Sequence, residues 1–308
     1  MHRLPSALCL FALVVSPMAA PLASARQKFD PSHLLYFLLF CITAVGAAAE
    51  PAQPTKQPFT FIQICDPQLG KGGYEHDLKT FEQAVVQSNA LKPDFVVICG
   101  DLVSRLNEQS VKDINRIKAG FTMPAHCVPG NHDVFWGPQD KRNNISQPQS
   151  LANYRKAFGK DYYSFEHKGH VFLCANSMLW RKEVKLEEEI EKHHQWVKDT
   201  LAAASKKGQP VFVVMHHPLY VKEPDEKDSG VNLPLERRKE LLALFEKHGV
   251  VAVLTGHAHR IIINDHKGIQ MVTGEATSTN HGAKVGFRLW HIEGERPYKH
   301  ESVPLEGF

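Results

Sequence analysis

The sequence carries little net charge and few cysteines for its length. Its 308 residues include six cysteines, and the formal net charge is +3. It has no internal repeat, low-complexity tract, heptad pattern or pair of cysteines at zinc-ribbon spacing. A charge this small, without a basic stripe, argues against binding of nucleic acid. With 43% hydrophobic and 22% charged residues, the composition is that of an ordinary globular protein.

Two apolar stretches at the N-terminus resemble secretion signals. They cover residues 4–25 and 34–49, and each ends in small residues typical of a signal cleavage site. The second has 16 residues, fewer than the roughly 20 that a helix needs to cross a bilayer. We therefore predict that the protein is exported, to the periplasm or by secretion, with cleavage near Ala49 and no stable membrane insertion afterwards. An uncleaved N-terminal membrane anchor is the alternative.

The remaining chain divides into a short linker and one domain. Residues 50–58 contain three prolines and are the predicted linker, and residues 59–308 are the predicted domain. Apolar runs alternate with amphipathic stretches, which indicates an α/β fold with parallel strands and helices over the sheet faces. Helical patterns cover residues 76–91, 107–119, 186–206 and 235–248. The four cysteines of the domain lie in apolar runs, which predicts buried free thiols.

Five of the apolar runs end in a residue that can bind a metal ion. These residues are Asp66, Asp101, Asn131, His216 and His257. In open α/β sheets, ligands bind beyond the carboxyl ends of the strands, so residues that are distant in sequence are expected to meet there. Gln68 and His259 each follow one of the five by two positions and extend the set.

The composition of this set favours a pair of metal ions. Carboxylate, amide and imidazole ligands together suit ions such as Mn, Fe, Zn or Ni. Seven ligands are too many for one tetrahedral ion and suit two ions about 3.5–4 Å apart, with one carboxylate bridging them. Such a pair lowers the pKa of a shared water and clamps the attacking and leaving oxygens, as phosphate-ester hydrolysis requires. His132 need not bind a metal; beside the ions its imidazole would stabilise the developing charge or protonate the leaving oxygen, and Asp133 or another carboxylate would orient it.

The order of these residues resembles that of the calcineurin-like metallophosphoesterase superfamily. The segments CDPQ, CGDL, GNHD, MHHP and GHAH stand in the family's order across residues 59–304, each after a predicted strand. Together with DYYSF they look most similar to the branch of calcineurin-like phosphoesterase domain-containing proteins, described as serine/threonine phosphatases. The resemblance implies a four-layer α/β/β/α sandwich of two mixed β-sheets flanked by helices. It also implies two metal ions, chosen from Mn, Fe, Zn and Mg.

The resemblance further implies which residues hold each ion. Asp101 would bridge the two ions; the first would also be held by Asp66, Gln68 and His259, and the second by Asn131, His216 and His257. Gln68 stands where the family usually has histidine, so it either binds the first ion or hydrogen-bonds a water on that ion. The family spacing favours His216 over His217 as the ligand. His217 would then support the site or face the substrate, or be an ordinary exposed loop histidine.

These features predict a binuclear metal-dependent phosphoric ester hydrolase that uses a metal-activated water on a phosphate-ester substrate, a phosphomonoester. A phosphodiesterase or nucleotide pyrophosphatase is the alternative among enzymes. An inactive binding module of the same fold is the alternative outside enzymes. Nothing in the sequence indicates an oligomeric state.

Other polar residues are assigned on weaker patterns. Loops at the same edge of the sheets offer side chains that would contact the phosphate or the leaving group, or else lie in solvent. These side chains are Lys71, Tyr74, Arg105 and His281. His193 and His194 lie on a helix rich in glutamate and lysine and are predicted to face solvent.

Overall fold

The computed structural model describes residues 57–134, 139–140, 145–279 and 284–308. The predicted signal segment and residues 50–56 of the predicted linker lie outside the described residues, and so does His281. Among the described residues, no helix combines the length and the apolar character that crossing a membrane requires.

The described residues contain thirteen strands and five α-helices. The strands are β1 (Phe59–Ile64), β2 (Phe95–Ile98), β3 (Ala125–Cys127), β4 (Gln139–Asp140), β5 (Ile145–Ser146), β6 (Tyr163–His167), β7 (His170–Cys174), β8 (Val211–Val214), β9 (Val250–Thr255), β10 (Ile262–His266), β11 (Ile269–Thr273), β12 (Gly286–Ile292) and β13 (Lys299–Pro304). The helices are α1 (Tyr74–Leu91), α2 (Glu108–Lys118), α3 (Gln147–Phe158), α4 (Glu187–Lys206) and α5 (Leu235–Lys247). A short 3₁₀ helix covers Ser177–Trp180.

The strands form two mixed sheets and a two-stranded ribbon. The first sheet has the order β13-β12-β1-β2-β3, in which β1, β2 and β3 are parallel. The second has the order β10-β11-β9-β8-β7-β6, in which β7, β8, β9 and β11 are parallel. The ribbon pairs β4 with β5. The strands that lead into the predicted metal ligands are therefore all parallel strands, so their carboxyl ends lie at one edge of each sheet.

An aromatic layer joins the two sheets face to face. Phe61 and Phe95 of the first sheet lie 5.3 Å and 4.8 Å, between ring centroids, from Phe172 of the second. Phe61 also lies 5.6 Å from Phe212 and stacks on Trp290 of its own sheet. Because successive side chains of a strand point to opposite faces, the neighbours of these aromatic residues face outward toward the helices.

The helices cover the outer face of each sheet. Phe81 of α1, Ile114 of α2 and Tyr154 of α3 share a buried apolar cluster with the outward-facing residues of β1 and β2. Leu201 of α4 and Phe245 of α5 share another with β7, β8 and β9. The predicted α/β/β/α sandwich of two mixed sheets flanked by helices is confirmed.

The helices expected from periodicity form close to their predicted bounds. Helix α2 begins with a reciprocal cap, in which the Asn107 side chain accepts from the Ser110 amide and the Ser110 hydroxyl accepts from the Asn107 amide, both at 3.0 Å. Helix α4 begins with three glutamates, whose negative charges interact favourably with the positive N-terminal end of the helix dipole. Helix α3 was not predicted from the sequence. The four cysteines of the domain are buried free thiols, as expected.

Candidate metal centre

The predicted ligands converge where the parallel strands of the two sheets end. Asp66 follows β1 and His257 follows β9, and the His257 amide donates to both carboxylate oxygens of Asp66, at 3.1 Å and 2.9 Å. His216, beyond β8, lies with its Nδ1 2.8 Å from the carbonyl oxygen of Cys99, which precedes Asp101 by two positions. Each contact joins one sheet to the other, so the packing of the sandwich itself assembles the site.

The donor atoms form two adjacent groups. Asp66, Asp101 and His259 offer one donor atom each within 4.8 Å of one another, and so do His216, His217 and His257. Asp101 also reaches the second group, because its Oδ1 lies 3.5 Å from His216 Nε2. The first group shares Asp66, Asp101 and His259 with the first predicted ion site, and the second shares His216 and His257 with the second but includes His217 in place of Asn131.

Each of the three predicted histidine ligands turns one ring nitrogen to a backbone carbonyl. His216 Nδ1 lies 2.8 Å from the Cys99 oxygen, His257 Nε2 lies 2.9 Å from the Gly230 oxygen, and His259 Nδ1 lies 2.7 Å from the Thr279 oxygen. A carbonyl oxygen can only accept, so the proton of a neutral ring is fixed on that nitrogen. The other nitrogen then presents a lone pair, which is the arrangement that metal-binding histidines show.

The second ring nitrogens of these histidines lie close to other hydrogen-bond acceptor atoms. His216 Nε2 lies 3.0 Å from Asn131 Oδ1 and 3.1 Å from His257 Nδ1. His259 Nε2 lies 3.5 Å from Asp66 Oδ1. Burial lowers the pKa of His216, and burial together with His216 lowers that of His257 to about 3, which favours the neutral ring at both positions. Acceptors that meet without a proton between them are stabilised by a cation.

The two carboxylates of the site add to this demand for positive charge. Asp66 and Asp101 are both buried. Burial, and then the nearby Asp101 carboxylate, raise the pKa of Asp66 well above its usual value. Like charges held close together in a buried site are costly unless a cation compensates them. The carboxylates, the amide oxygen and the imidazole nitrogens therefore fit the two metal ions implied by the sequence.

The side chain of Gln68 lies beside Asp101 and has a buried amide oxygen. Its Nε2 donates to Asp101 Oδ2 at 3.1 Å, and its Oε1 is buried with no hydrogen-bond partner in the part of the chain that the structure describes. An unsatisfied buried oxygen costs about 1–3 kcal/mol. A metal ion, or a water held by one, would satisfy it, so the geometry agrees with both interpretations of Gln68.

His132 lies beside the donor groups, held by its backbone and its ring. Its amide donates to Asp101 Oδ1 at 2.8 Å, and its Nδ1 lies 3.1 Å from the Ser104 carbonyl oxygen. The ring is half-buried. The carbonyl fixes the proton of a neutral ring on Nδ1, so the exchangeable position is Nε2.

Asp133 contacts the backbone rather than the ring of its neighbour. Its carboxylate accepts from the Val103 amide at 3.0 Å and from the Gly130 amide at 2.8 Å. Burial and the Asp101 carboxylate raise the pKa of Asp133 to about 8. Through these two bonds Asp133 stabilises the loop that contains Asn131 and His132. Sequence reasoning had suggested a carboxylate as the group that orients His132, and the Ser104 carbonyl was not foreseen.

Two glycines make room for the carboxylates. A Cβ on Gly130 would lie 2.2 Å from Asp101 Oδ1, and one on Gly256 would lie 2.6 Å from Asp66 Oδ2. No side chain fits at such distances. The glycines of GNHD and GHAH are thus explained by the close approach of the backbone to Asp101 and Asp66.

The backbone at the ligands is strained. Asp66, Gln68, Asp101, His257 and His259 all have positive φ, between 36° and 67°. This left-handed region costs a residue with a side chain about 1–2 kcal/mol. Such outliers concentrate at functional sites, where the surrounding structure holds them in place.

His217 is a member of the site that sequence reasoning left undecided. It is fully buried, so its interpretation as an exposed loop histidine is wrong. Its ring lies 4.3 Å from that of His257, between centroids, and its Nδ1 lies 3.0 Å from Ser177 Oγ. The signal was present in the sequence. The run VFVVMHH is apolar without alternation, which indicates a strand buried on both faces, so both histidines at its end were to be expected inside.

His193 and His194 are not part of the centre, and the prediction that they face solvent is wrong. Both are buried. His193 accepts from the Asn176 amide at 3.2 Å, and its ring contacts Trp180 and Trp196. His194 Nε2 lies 2.7 Å from Glu240 Oε1, so the two histidines link α4 to the segment after β7 and to α5.

The fold and the donor set together define the class of protein as a dinuclear metal-dependent phosphoester hydrolase. Comparison with known proteins gives the family. The family model described as calcineurin-like phosphoesterase matches residues 59–260. The chain is 34% identical over 268 residues to the serine/threonine-protein phosphatase CPPED1 of Danio rerio, covering 78% of this chain and 84% of that protein. The chain belongs to the calcineurin-like phosphoesterase family.

Solved structures show the same fold at low sequence identity. A dimetal phosphatase from Danio rerio superimposes with a TM-score of 0.57 at 17% identity, covering 80% of this chain and 99% of that one. GAP50, described as the anchor in the inner membrane complex of Plasmodium, superimposes with a TM-score of 0.57 at 16% identity, covering 81% and 85%. The fold is therefore shared by proteins whose names indicate different roles, whereas the group of metal-binding donor atoms is a property of this chain's own residues.

Proposed function

We propose that this protein is a phosphomonoesterase that works with two metal ions chosen from Mn, Fe, Zn and Mg. The observation that carries the proposal is the meeting of unprotonated acceptors. Three histidines each have one ring nitrogen directed at a backbone carbonyl. The other nitrogen lies near Asn131 and Asp101 in His216, near Asp66 in His259 and near His216 in His257. Asp66, Gln68, Asp101 and His259 would hold one ion, and Asp101, Asn131, His216 and His257 would hold the other, as the family resemblance implied.

When bound, such ions supply a water of lowered pKa and neutralise the charge of the phosphate. The protein's own residues do the rest. Asp66 and Asp101 fix the donor groups through their bonds to the amides of His257 and His132. His132, once protonated, delivers its Nε2 proton to the leaving oxygen as the P–O bond breaks. Asp133 keeps the loop in place and exchanges no proton in this scheme.

We propose a phosphomonoesterase rather than a phosphodiesterase because of the names of the relatives. The Danio rerio protein is named a serine/threonine-protein phosphatase, and a phosphatase of that kind cleaves monoesters. We extend this to the present chain as a proposal. The N-terminal apolar stretches favour an exported protein, so we propose that its substrate lies outside the cytoplasm. N-terminal sequencing of the protein from its native host would test this: a start near residue 50 supports cleavage, and an intact, membrane-bound N-terminus supports the anchor.

The test of the function is metal-dependent turnover of matched esters. Purified protein is stripped of metal with a chelator and then titrated separately with each of the four ions. p-Nitrophenyl phosphate and bis-p-nitrophenyl phosphate are assayed side by side. We expect activity to return as two ions bind per chain, with the monoester the faster substrate. A faster diester would instead favour the phosphodiesterase alternative. Two bound ions with no turnover of either ester would favour a binding module.

Replacing Gln68 by histidine separates the two interpretations of that residue. If its oxygen binds the first ion, an imidazole should bind the ion more tightly, lowering one of the two dissociation constants on the order of tenfold. Isothermal titration of the metal-free variant with Zn²⁺ measures both constants. Gln195→His, which adds the same side chain on the exposed face of α4, is the control. Unchanged constants for both ions would show that Gln68 hydrogen-bonds a water instead.

A further inference from the structure

A small pocket is lined on one side by His132. It has a volume of about 320 Å³, and its wall includes Leu69, Tyr74, Ser104, Arg105 and His132. Tyr74 and Arg105 were sequence-based candidates for contact with the phosphate or the leaving group, and Ser104 holds the His132 ring through its carbonyl. The volume lies at the lower end of the range of about 300–1,000 Å³ that ligand pockets occupy. The pocket therefore suits a small chemical group.

Most polar groups on the pocket wall are already bound to the protein. The Tyr74 hydroxyl donates to Asp113 Oδ2 at 2.8 Å, so the residue offers its ring rather than its hydroxyl. The Asn107 side chain and the Ser110 hydroxyl form the cap of α2. These bonds fix the shape of the wall and leave little hydrogen-bonding capacity for a ligand.

Arg105 is different, because its guanidinium has no hydrogen-bond or ion-pair partner among the residues that the structure describes. Its backbone is nevertheless fixed: its carbonyl oxygen accepts from Ser110 Oγ at 2.8 Å and from Asn107 Nδ2 at 3.4 Å. Its neighbour Ser104 accepts the His132 ring through its own carbonyl, at 3.1 Å. One short loop segment thus holds both the imidazole and a cationic side chain at the pocket.

The position of the pocket indicates what would occupy it. A general acid must lie beside the oxygen that leaves, so the space next to His132 and outside the donor groups is the space of the leaving group. A guanidinium in that space pairs most strongly with a carboxylate or a phosphate, through charge-assisted hydrogen bonds.

On the basis of the proposed phosphomonoesterase function, we propose that this pocket binds the leaving group and that Arg105 selects substrates whose compact leaving group carries a negative charge. The class is that of small phosphomonoesters with a carboxylate or a second phosphate on the alcohol or phenol. Arg105 is a specificity residue in this proposal and takes no part in proton transfer or in metal binding.

The test uses two substrates of nearly equal shape. 4-Carboxyphenyl phosphate carries a charge on its leaving group, and 4-carbamoylphenyl phosphate carries a neutral amide at the same position. The quantity of interest is the ratio of their kcat/KM values, compared between the wild type and Arg105→Gln. The intrinsic reactivity of the two esters cancels in that comparison. We expect the ratio to fall about tenfold in Arg105→Gln and less in Arg105→Lys, which keeps the charge but loses the planar fork.

The matched control is Lys112→Gln, which removes one positive charge from the exposed face of α2 outside the pocket. Its ratio should equal that of the wild type. A ratio that falls equally in the control and in Arg105→Gln would reflect the general field of the surface and would overturn the assignment. An unchanged ratio in Arg105→Gln, with both esters still cleaved, would also overturn the assignment of Arg105. The proposed phosphomonoesterase function would stand in that case.

Failure of the underlying function has a different signature. Neither ester would then be cleaved by the wild type in any of the four metals. A third arm uses phosphoserine peptides that place aspartate or asparagine after the phosphoserine. If the aspartate peptide is preferred through Arg105 while the aryl pair shows no preference, the proposal of a compact leaving group is wrong.

Discussion

Replacing Asp101 by asparagine is expected to remove both metal ions and to lower kcat/KM by roughly a thousandfold or more. Asp101 accepts from Gln68 Nε2 and from the His132 amide, and it lies 3.5 Å from His216 Nε2. An asparagine at this position is neutral. Its amide group would also place hydrogens against a neighbour that itself donates. One substitution therefore weakens both donor groups at once.

The measurements are metal content by mass spectrometry after dialysis and steady-state kinetics with p-nitrophenyl phosphate. Asp199→Asn, on the exposed face of α4, makes the same chemical change outside the site and should behave as wild type. Asp101→Asn that still binds two ions per chain with undiminished turnover would show that this carboxylate does not bridge.

Replacing His132 by alanine should separate catalysis from metal binding. The backbone amide that donates to Asp101 remains in the variant, so both ions should be retained. Loss of a general acid lowers the rate by typically 10²–10⁴-fold. We expect a loss in kcat of that order, measured beside the metal content of the same preparation.

Comparing substrates with good and poor leaving groups tests which role His132 has. If His132 protonates the leaving oxygen, an alkyl phosphate with a poor leaving group should lose more activity than p-nitrophenyl phosphate. An equal loss for both would indicate that the imidazole stabilises charge instead of transferring a proton. His291→Ala, on β12, is the control for removal of an imidazole. If His132→Ala lost its metal while Asp101→Asn kept it, the roles assigned to these two residues would be wrong.

The convergence of the ligands was predictable because it depends on strand ends. Polar residues after five apolar runs had to meet if the strands were parallel, and the structure brings Asp66, Asp101, Asn131, His216 and His257 together as expected. Their partners were not predictable in the same way. The carbonyls of Gly230, Thr279 and Ser104 come from loops. Every residue has a backbone carbonyl, so the amino-acid sequence does not show which of them will accept a hydrogen bond.

The errors have a common physical origin. His193 and His194 lie on a helix whose local composition is charged, and tertiary contacts decide that they are buried. His193 contacts Asn176 and Trp180, and His194 contacts Arg237 and Glu240 of α5. Helix α3 was missed because its twelve residues bury few apolar side chains, among them Leu151 and Tyr154. In both cases tertiary contacts outweigh local pattern. The N-terminal signal remains a prediction, since it lies outside the described residues.

The left-handed backbone at five of the predicted ligands has a consequence for how this chain changes over generations. Glycine adopts that conformation without steric penalty. A glycine would relieve backbone strain of about 1–2 kcal/mol at each position, but at Asp66 and Asp101 it would also remove the carboxylate that accepts the amides of His257 and His132. This chain carries carboxylate, amide and imidazole side chains at Asp66, Gln68, Asp101, His257 and His259 instead. Strained positions of this kind are expected at a functional site, where chemistry is favoured over stability.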